Sequence, residues 1–197
     1  MRKNVAILLI FVLCFIVVGC TEIKNKKPSE INLKPGKFEL YDLSIYDTKT
    51  QKQIHLGMSK KEVDSILGKP VKVENIVAQY SYDGFYVAYR DDKVVYMSID
   101  VDDISPYDRF ITNRNISLGD NKKDVVESYG ADWQGEELAT YIILRKDNQF
   151  VLLEISQIDD YKEYDTNNIF FITFIFNDED KIDYISISDY NYGHFLK

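Results

Sequence analysis

Ile54-His55-Leu56-Gly57-Met58-Ser59-Lys60-Lys61-Glu62-Val63 returns, in register, as Ile116-Ser117-Leu118-Gly119-Asp120-Asn121-Lys122-Lys123-Asp124-Val125. The isoleucine, leucine, glycine, Lys-Lys pair, acidic residue and valine recur in order. Each copy then reaches a glycine at the same offset, Gly68 and Gly130. Ordered matches of this kind mark an internal repeat. Each copy also reads as a helix with both ends signalled. Ser59 followed three residues later by Glu62 is a capping box, and Asn121 with Asp124 repeats it in weaker form. Val63, Ile66 and Leu67 set an apolar stripe on the first helix, and Val125, Val126 and Tyr129 on the second. Gly68 and Gly130 fall where a left-handed helix stop belongs, and Pro70 blocks continuation of the first helix. Helices this short are marginal alone, so both must pack on something larger.

That larger element is β-sheet. After the first helix come the runs 76–82, 85–90 and 94–101, with Asp83-Gly84 and Asp91-Asp92 as turns between them. After the second come 139–146, 150–155, 169–176 and 182–188, with turns at Asp147-Asn148 and 177–180. Tyr, Val, Ile and Phe dominate these runs, as pleated, half-buried strands favour. The run Ile169-Phe170-Phe171-Ile172-Thr173-Phe174-Ile175-Phe176 is almost wholly apolar and reads as a central strand covered on both faces. The acidic stretch 157–167 is an insertion that the first copy lacks, and so a place for specialisation.

Residues 54–101 resemble the BamE (SmpA/OmlA) lipoproteins and the repeats of β-lactamase inhibitory proteins. The residues that carry this are Leu56-Gly57-Met58-Ser59-Lys60-Lys61-Glu62-Val63, then Leu67-Gly68-Lys69-Pro70, then the tyrosine-rich hairpins ending Asp92-Lys93-Val94-Val95-Tyr96-Met97-Ser98-Ile99. Residues 116–188 look like a diverged second copy, with Asp120 in place of the methionine. The resemblance implies an α+β fold of two units, each a helix pair on an antiparallel sheet, able to join into one long, curved sheet. It implies a scaffold role in BamE-like proteins and an enzyme-gripping concave sheet in the inhibitors. Leu-Gly-Met-Ser and Leu-Gly-x-Pro are helix entry and exit devices and carry no chemistry, so fold analogy alone does not choose between those roles.

The first twenty residues set the location. Arg2 and Lys3 precede an unbroken apolar run, Val5 to Val18, shorter than the roughly 20 residues a membrane span needs. The run ends Val17-Val18-Gly19-Cys20, which resembles the lipobox of bacterial lipoproteins. The resemblance implies cleavage before Cys20 and its diacylglyceryl modification, an anchor in a bacterial membrane with the domain outside the cytoplasm. An ordinary signal peptide or an uncleaved anchor is the alternative. The expected organisation is a leader over 1–19, a flexible tether over 20–37, a first repeat over 38–108 and a second over 109–197.

Composition narrows the chemistry. The only cysteines are Cys14, in the leader, and Cys20, so the mature domain has no thiol chemistry and no disulfide. Net charge is −8, and removal of Arg2 and Lys3 takes it to −10. Such a surface repels nucleic acid. His55 and His194 lack partners for catalysis or for zinc. The acidic clusters Asp100/Asp102/Asp103, Asp159/Asp160 and Asp178/Glu179/Asp180 match no EF-hand spacing and read as solvated turns, with weak Ca²⁺ binding the sharper alternative. Trp133 reads as a core anchor between the repeats. No catalytic residue, metal site or cofactor is assigned.

The 15 tyrosines carry the one candidate surface. Tyr80, Tyr82, Tyr86, Tyr89 and Tyr96 run through the first sheet, where exposed rings would suit a protein partner. The expected function is therefore non-enzymatic: a lipid-anchored protein that presents a sheet face to an envelope protein. The alternatives are binding of a small molecule, cation or wall polymer, and, ranked last for want of an acid–base pair, hydrolysis of an envelope polymer.

Overall fold

The computed structural model describes residues 23, 25–74, 79–103, 106–133, 138–153 and 164–193. The leader, Cys20, Asp159, Asp160, His194 and most of the acidic insertion lie outside the described residues. The fold is α+β. In chain order the elements are β1 Ser44–Asp47, β2 Lys52–His55, α1 Lys60–Leu67, β3 Lys72–Glu74, β4 Gln79–Ser81, β5 Phe85–Arg90, β6 Lys93–Asp100 and β7 Phe110–Thr112. They continue with α2 Lys122–Tyr129, β8 Leu138–Lys146, β9 Gln149–Leu153, β10 Ile169–Phe176, β11 Ile182–Asp189 and the four-residue α3 Tyr190–Gly193. Eight strands make one antiparallel sheet in the order β3-β4-β5-β6-β11-β10-β8-β9, and β2-β1-β7 make a second.

Both helix signals act as read. The Ser59 hydroxyl accepts the Glu62 N–H at 3.3 Å, and the Glu62 carboxylate accepts the Ser59 N–H at 2.8 Å. The Asp124 carboxylate accepts the Asn121 N–H at 2.9 Å. The stops differ in detail from a left-handed turn. Gly68 lies at φ 86°, ψ −165° and Gly130 at φ 97°, ψ 169°, an extended positive-φ region that is essentially reserved for glycine. Three two-residue turns, Asp83-Gly84, Asp91-Asp92 and Asp147-Asn148, have positive φ at both positions, the backbone that a tight hairpin requires.

The strands at 85–90 and 169–176 fall where the sequence places them; of the run 76–82 only 79–81 forms β4, with 76–78 outside the described residues, and the others shift by one or two residues. Four were not expected: β1, β2, β3 and β7, each too short to display an alternating period. The central-strand reading of β10 holds for half its length. Ile169 and Phe171 are covered on the face away from the helices, but Ile175 on that face is 39% exposed.

Other expectations need correcting. Among the described residues one helix, not a pair, precedes β3–β6 and one precedes β8–β11, because β2 occupies the approach to α1 and Pro70 turns the exit into β3. Across the 108/109 boundary β7 pairs with β1. The presumed tether is bound to the domain from Asn25 onward. Asn25 donates to the Gln51 carbonyl and accepts from the Gln53 N–H, both at 3.0 Å. Pro28 is buried, and the Gly36 N–H donates to the Tyr129 carbonyl at 2.8 Å. The hairpin β8–β9 places β9 at the sheet edge, with β8 between it and β10.

Arg114 fixes this packing. Its side chain is 2% exposed and paired with Asp42, itself 0% exposed, with Nε–Oδ1 2.6 Å and Nη2–Oδ2 3.0 Å. Nη1 donates to the Lys34 and Ser128 carbonyls, and Nη2 also to the Lys37 carbonyl. All five guanidinium N–H groups are thereby used. The guanidinium also lies 4.6 Å from the Tyr129 ring centroid and 5.4 Å from that of Phe38. Around this lock one core joins the small sheet, α1, α2 and one face of the large sheet, through Ile45, Ile54, Phe110, Val63, Val125, Val87, Met97, Ile172 and Ile185.

Two measurements follow. A Cβ at Gly130 would meet the Gly36 nitrogen at 3.1 Å, whereas one at Gly68 meets nothing within 4 Å. Urea unfolding should show Gly130→Ala losing about 2–3 kcal/mol and Gly68→Ala only about 1, since both carry backbone strain and one adds a clash. Arg114→Ala should lose about 3–5 kcal/mol by leaving Asp42 buried and unpaired, and Arg114→Met with Asp42→Leu should recover much of it.

Candidate functional site

The large sheet has one face turned to the helices and one turned away. Strand pairing places side chains on the outer face in rows. One row crosses six strands in direct register: Ser81, Tyr86, Ser98, Ser186, Thr173 and Thr140. Every residue in it bears a hydroxyl. Thr140 and Thr173 are within 3.1 Å through their hydroxyls. Ser81 and Ser98 are buried, while Tyr86, Ser186, Thr173 and Thr140 are partly open.

The rows on either side differ. On one side lie Ala88, Tyr96, Ser188, Phe171 and Ile142. This row is capped by the end of the chain. The Tyr192 ring stacks on Tyr96 at 4.5 Å, Tyr190 on Phe171 at 6.1 Å, and Gln79 Nε2 donates to the Tyr192 hydroxyl at 3.0 Å. On the other side lie Asp100, Tyr184, Ile175 and Leu138, with Leu138 37% exposed. The Tyr184 hydroxyl is hydrogen-bonded to that of Tyr96. Burial, then the neighbouring Asp103 carboxylate, pushes the Tyr86 hydroxyl up to about 12, so it stays protonated at physiological pH. The outcome is a strip of hydroxyls able both to donate and to accept, edged by apolar side chains at the Ile175 end and carboxylates at the Asp100 end.

The five expected tyrosines do not share this face. Tyr82 is 1% exposed and donates to Asp64 Oδ1 at 2.7 Å, with its hydroxyl 2.9 Å from that of Tyr89. Tyr80 packs edge-on to Tyr89 at 5.2 Å, under Lys60 of α1. These three serve the core: Tyr80 and Tyr82 alternate onto the face that α1 covers, and Tyr89 follows Phe85 and Val87 on that same face. Tyr96 is on the outer face but buried under Tyr192. Only Tyr86 meets the description of a partly open outer ring. Tyr184, Ser186, Thr173 and Thr140 were missed, and a register alignment of 169–176 with 182–188 is the signal that could have found them.

Other candidates are structural. The half-buried His55 ring Nδ1–H donates to the Leu56 carbonyl at 2.8 Å. Trp133 lies edge-on to Tyr141 at 6.4 Å, with Lys122 5.7 Å above its ring, so it anchors the second unit and not the junction. Asn177 Oδ1 accepts from the Glu179 and Lys181 N–H groups, which accounts for the 177–180 turn. Among the described residues no group of three or more His, Cys, Asp or Glu is placed to hold a metal ion. A cleft of about 870 Å³ is lined by the 36–40 segment and β9, which are bridged at Phe38 and Phe150, with Lys37, Glu39, Asp132 and Arg145 on its walls.

No family model and no curated protein matches this chain. Among solved structures it is similar to an extracellular protein containing an SCP domain from Bacillus anthracis, at 10% identity and a TM-score of 0.37. The match covers 84% of this chain and 49% of that one, so this chain spans about half that protein's length. A likeness of that size assigns no function.

The two kinds of tyrosine should separate in urea unfolding. Tyr82→Ala should cost about 3–5 kcal/mol, as a large core truncation does. Tyr86→Ala should cost about 1 kcal/mol or less.

Proposed function

We propose that this chain is a non-enzymatic, lipid-anchored protein of the bacterial envelope, held through Cys20, whose outer sheet face binds a protein partner. The observation that carries the reading is the in-register hydroxyl strip with its exposed Ile175 and Leu138 rim. Polar groups that both donate and accept, beside aromatic and aliphatic surface, are the makings of a protein interface. Among the described residues no helix is long and apolar enough to cross a membrane.

The two-unit reading belongs to the same proposal. It is supported by matching capping boxes, by glycine stops in the same backbone region, and by the placement of each unit's last strand, β6 and β11, side by side at the sheet centre. Kinship with the BamE and β-lactamase inhibitory families would make the sheet a scaffold or a grip, with the single helix per unit as a departure.

Crosslinking in the native cell, followed by pull-down, tests this. Wild type should capture one dominant partner, Thr173→Arg with Ser186→Arg should lose it at unchanged protein level, and Cys20→Ala should displace it from the membrane fraction. Retention of the partner by the doubly charged variant would contradict the face assignment. Absence of any enriched protein would favour a wall polymer or small ligand, and calorimetry with wall fragments would decide between them.

A further inference from the structure

We propose that residues 25–37 are a collar that holds the domain against an anionic lipid surface in one orientation, with Lys27, Lys49 and Lys52 toward the headgroups and the hydroxyl strip turned away. The inference rests on the reading of Cys20 as the lipid-bearing residue. A tether free over residues 20–37 would reach about 60 Å fully extended. The structure shortens that reach. Asn25 is bound to both ends of the Gln51–Gln53 backbone, and the Gln53 amide donates to the Lys26 carbonyl at 2.7 Å. Further along, Arg114 holds the Lys34 and Lys37 carbonyls. From Cys20 to Asn25 the chain spans at most about 18 Å. The domain must therefore sit with the Asn25 end close to the bilayer.

The charge at that end fits a bacterial membrane and departs from the rest of the protein. Lys26, Lys27, Lys49 and Lys52 are exposed, and Lys52 borders the same cleft as Ile23 and Asn25. Glu30 is the single acidic residue among the described residues from 23 to 37, and 48–53 has none. The whole chain carries −8. Lysines beside an anchor add electrostatic attraction to anionic headgroups, while the acidic remainder is repelled, so charge and tether favour the same orientation. The small sheet that carries the collar packs on the helix-side face of the large sheet, through Ile45, Ile54 and Phe110. The hydroxyl strip lies on the opposite face and is left free for a partner.

The test uses the mature acylated protein, cleaved before Cys20, in phosphatidylglycerol/phosphatidylcholine vesicles that carry a headgroup energy-transfer acceptor. With Cys20 acylated, Thr48→Cys and Ile175→Cys each provide one labelling site. Transfer from position 48 should exceed that from position 175 several-fold. Lys27→Glu, Lys49→Glu and Lys52→Glu together, with the label again at Thr48→Cys, should lower that transfer while the protein stays vesicle-bound. Equal transfer from 48 and 175 in anchored protein would overturn the orientation and leave the anchor standing. Protein recovered in the soluble fraction with an unmodified Cys20 would overturn the anchor reading and this inference with it.

Discussion

A single buried guanidinium ties three remote parts of the chain together. Arg114 reaches Asp42 before the first strand, the Lys34 and Lys37 carbonyls of the N-terminal segment and the Ser128 carbonyl near the end of α2. An isolated charge in that position would be prohibitive. Complete use of its N–H groups and an ionised partner make it tolerable, and removing either partner is costly. Burial pushes the Asp42 carboxyl up while Arg114 acts against it. The packing of the small sheet on the large one, and of the collar on both, depends on this pair. It is also why the N-terminal segment belongs to the domain and is not a loose leash.

The large sheet then divides the work of its faces. Its inner face is filled by aliphatic and aromatic side chains under the helices and the small sheet. Its outer face has an apolar row covered by Tyr190 and Tyr192, and next to it the hydroxyl row. The cover ends where the polarity begins. Apolar rows need cover from water, whereas a row of hydroxyls keeps its hydrogen bonds with solvent until a partner replaces it. The outer face is thus part covered and part open, divided along a line of strand register.

Much of the local structure is legible in the sequence. Ser59/Glu62, Asn121/Asp124, Gly68, Gly130 and the Asp-Gly, Asp-Asp and Asp-Asn turns act through neighbours a few residues away, and they fold as their spacing requires. The strand 169–176 announces itself by eight apolar or β-favouring residues in a row. What could not be read depends on long-range partners. Four-residue and three-residue strands such as β1 and β7 exist because they pair with each other at long range, Ile45 with Thr112 and Asp47 with Phe110. Arg114 is one charged residue among many until Asp42 is placed against it. The tyrosines show the same limit: their spacing says which alternate, but the cover from α1 on one face and from Tyr192 on the other decides which are open.

The central claim is that the outer hydroxyl row is the surface by which this protein meets its partner. Site-specific photo-crosslinking in living cells tests it most directly, with the photoreactive residue placed at Ser186 on the row and, separately, at Lys61 on the exposed side of α1. The account predicts one discrete crosslinked species from position 186 and none from position 61. The same species from position 61 alone, or from both positions equally, would contradict it.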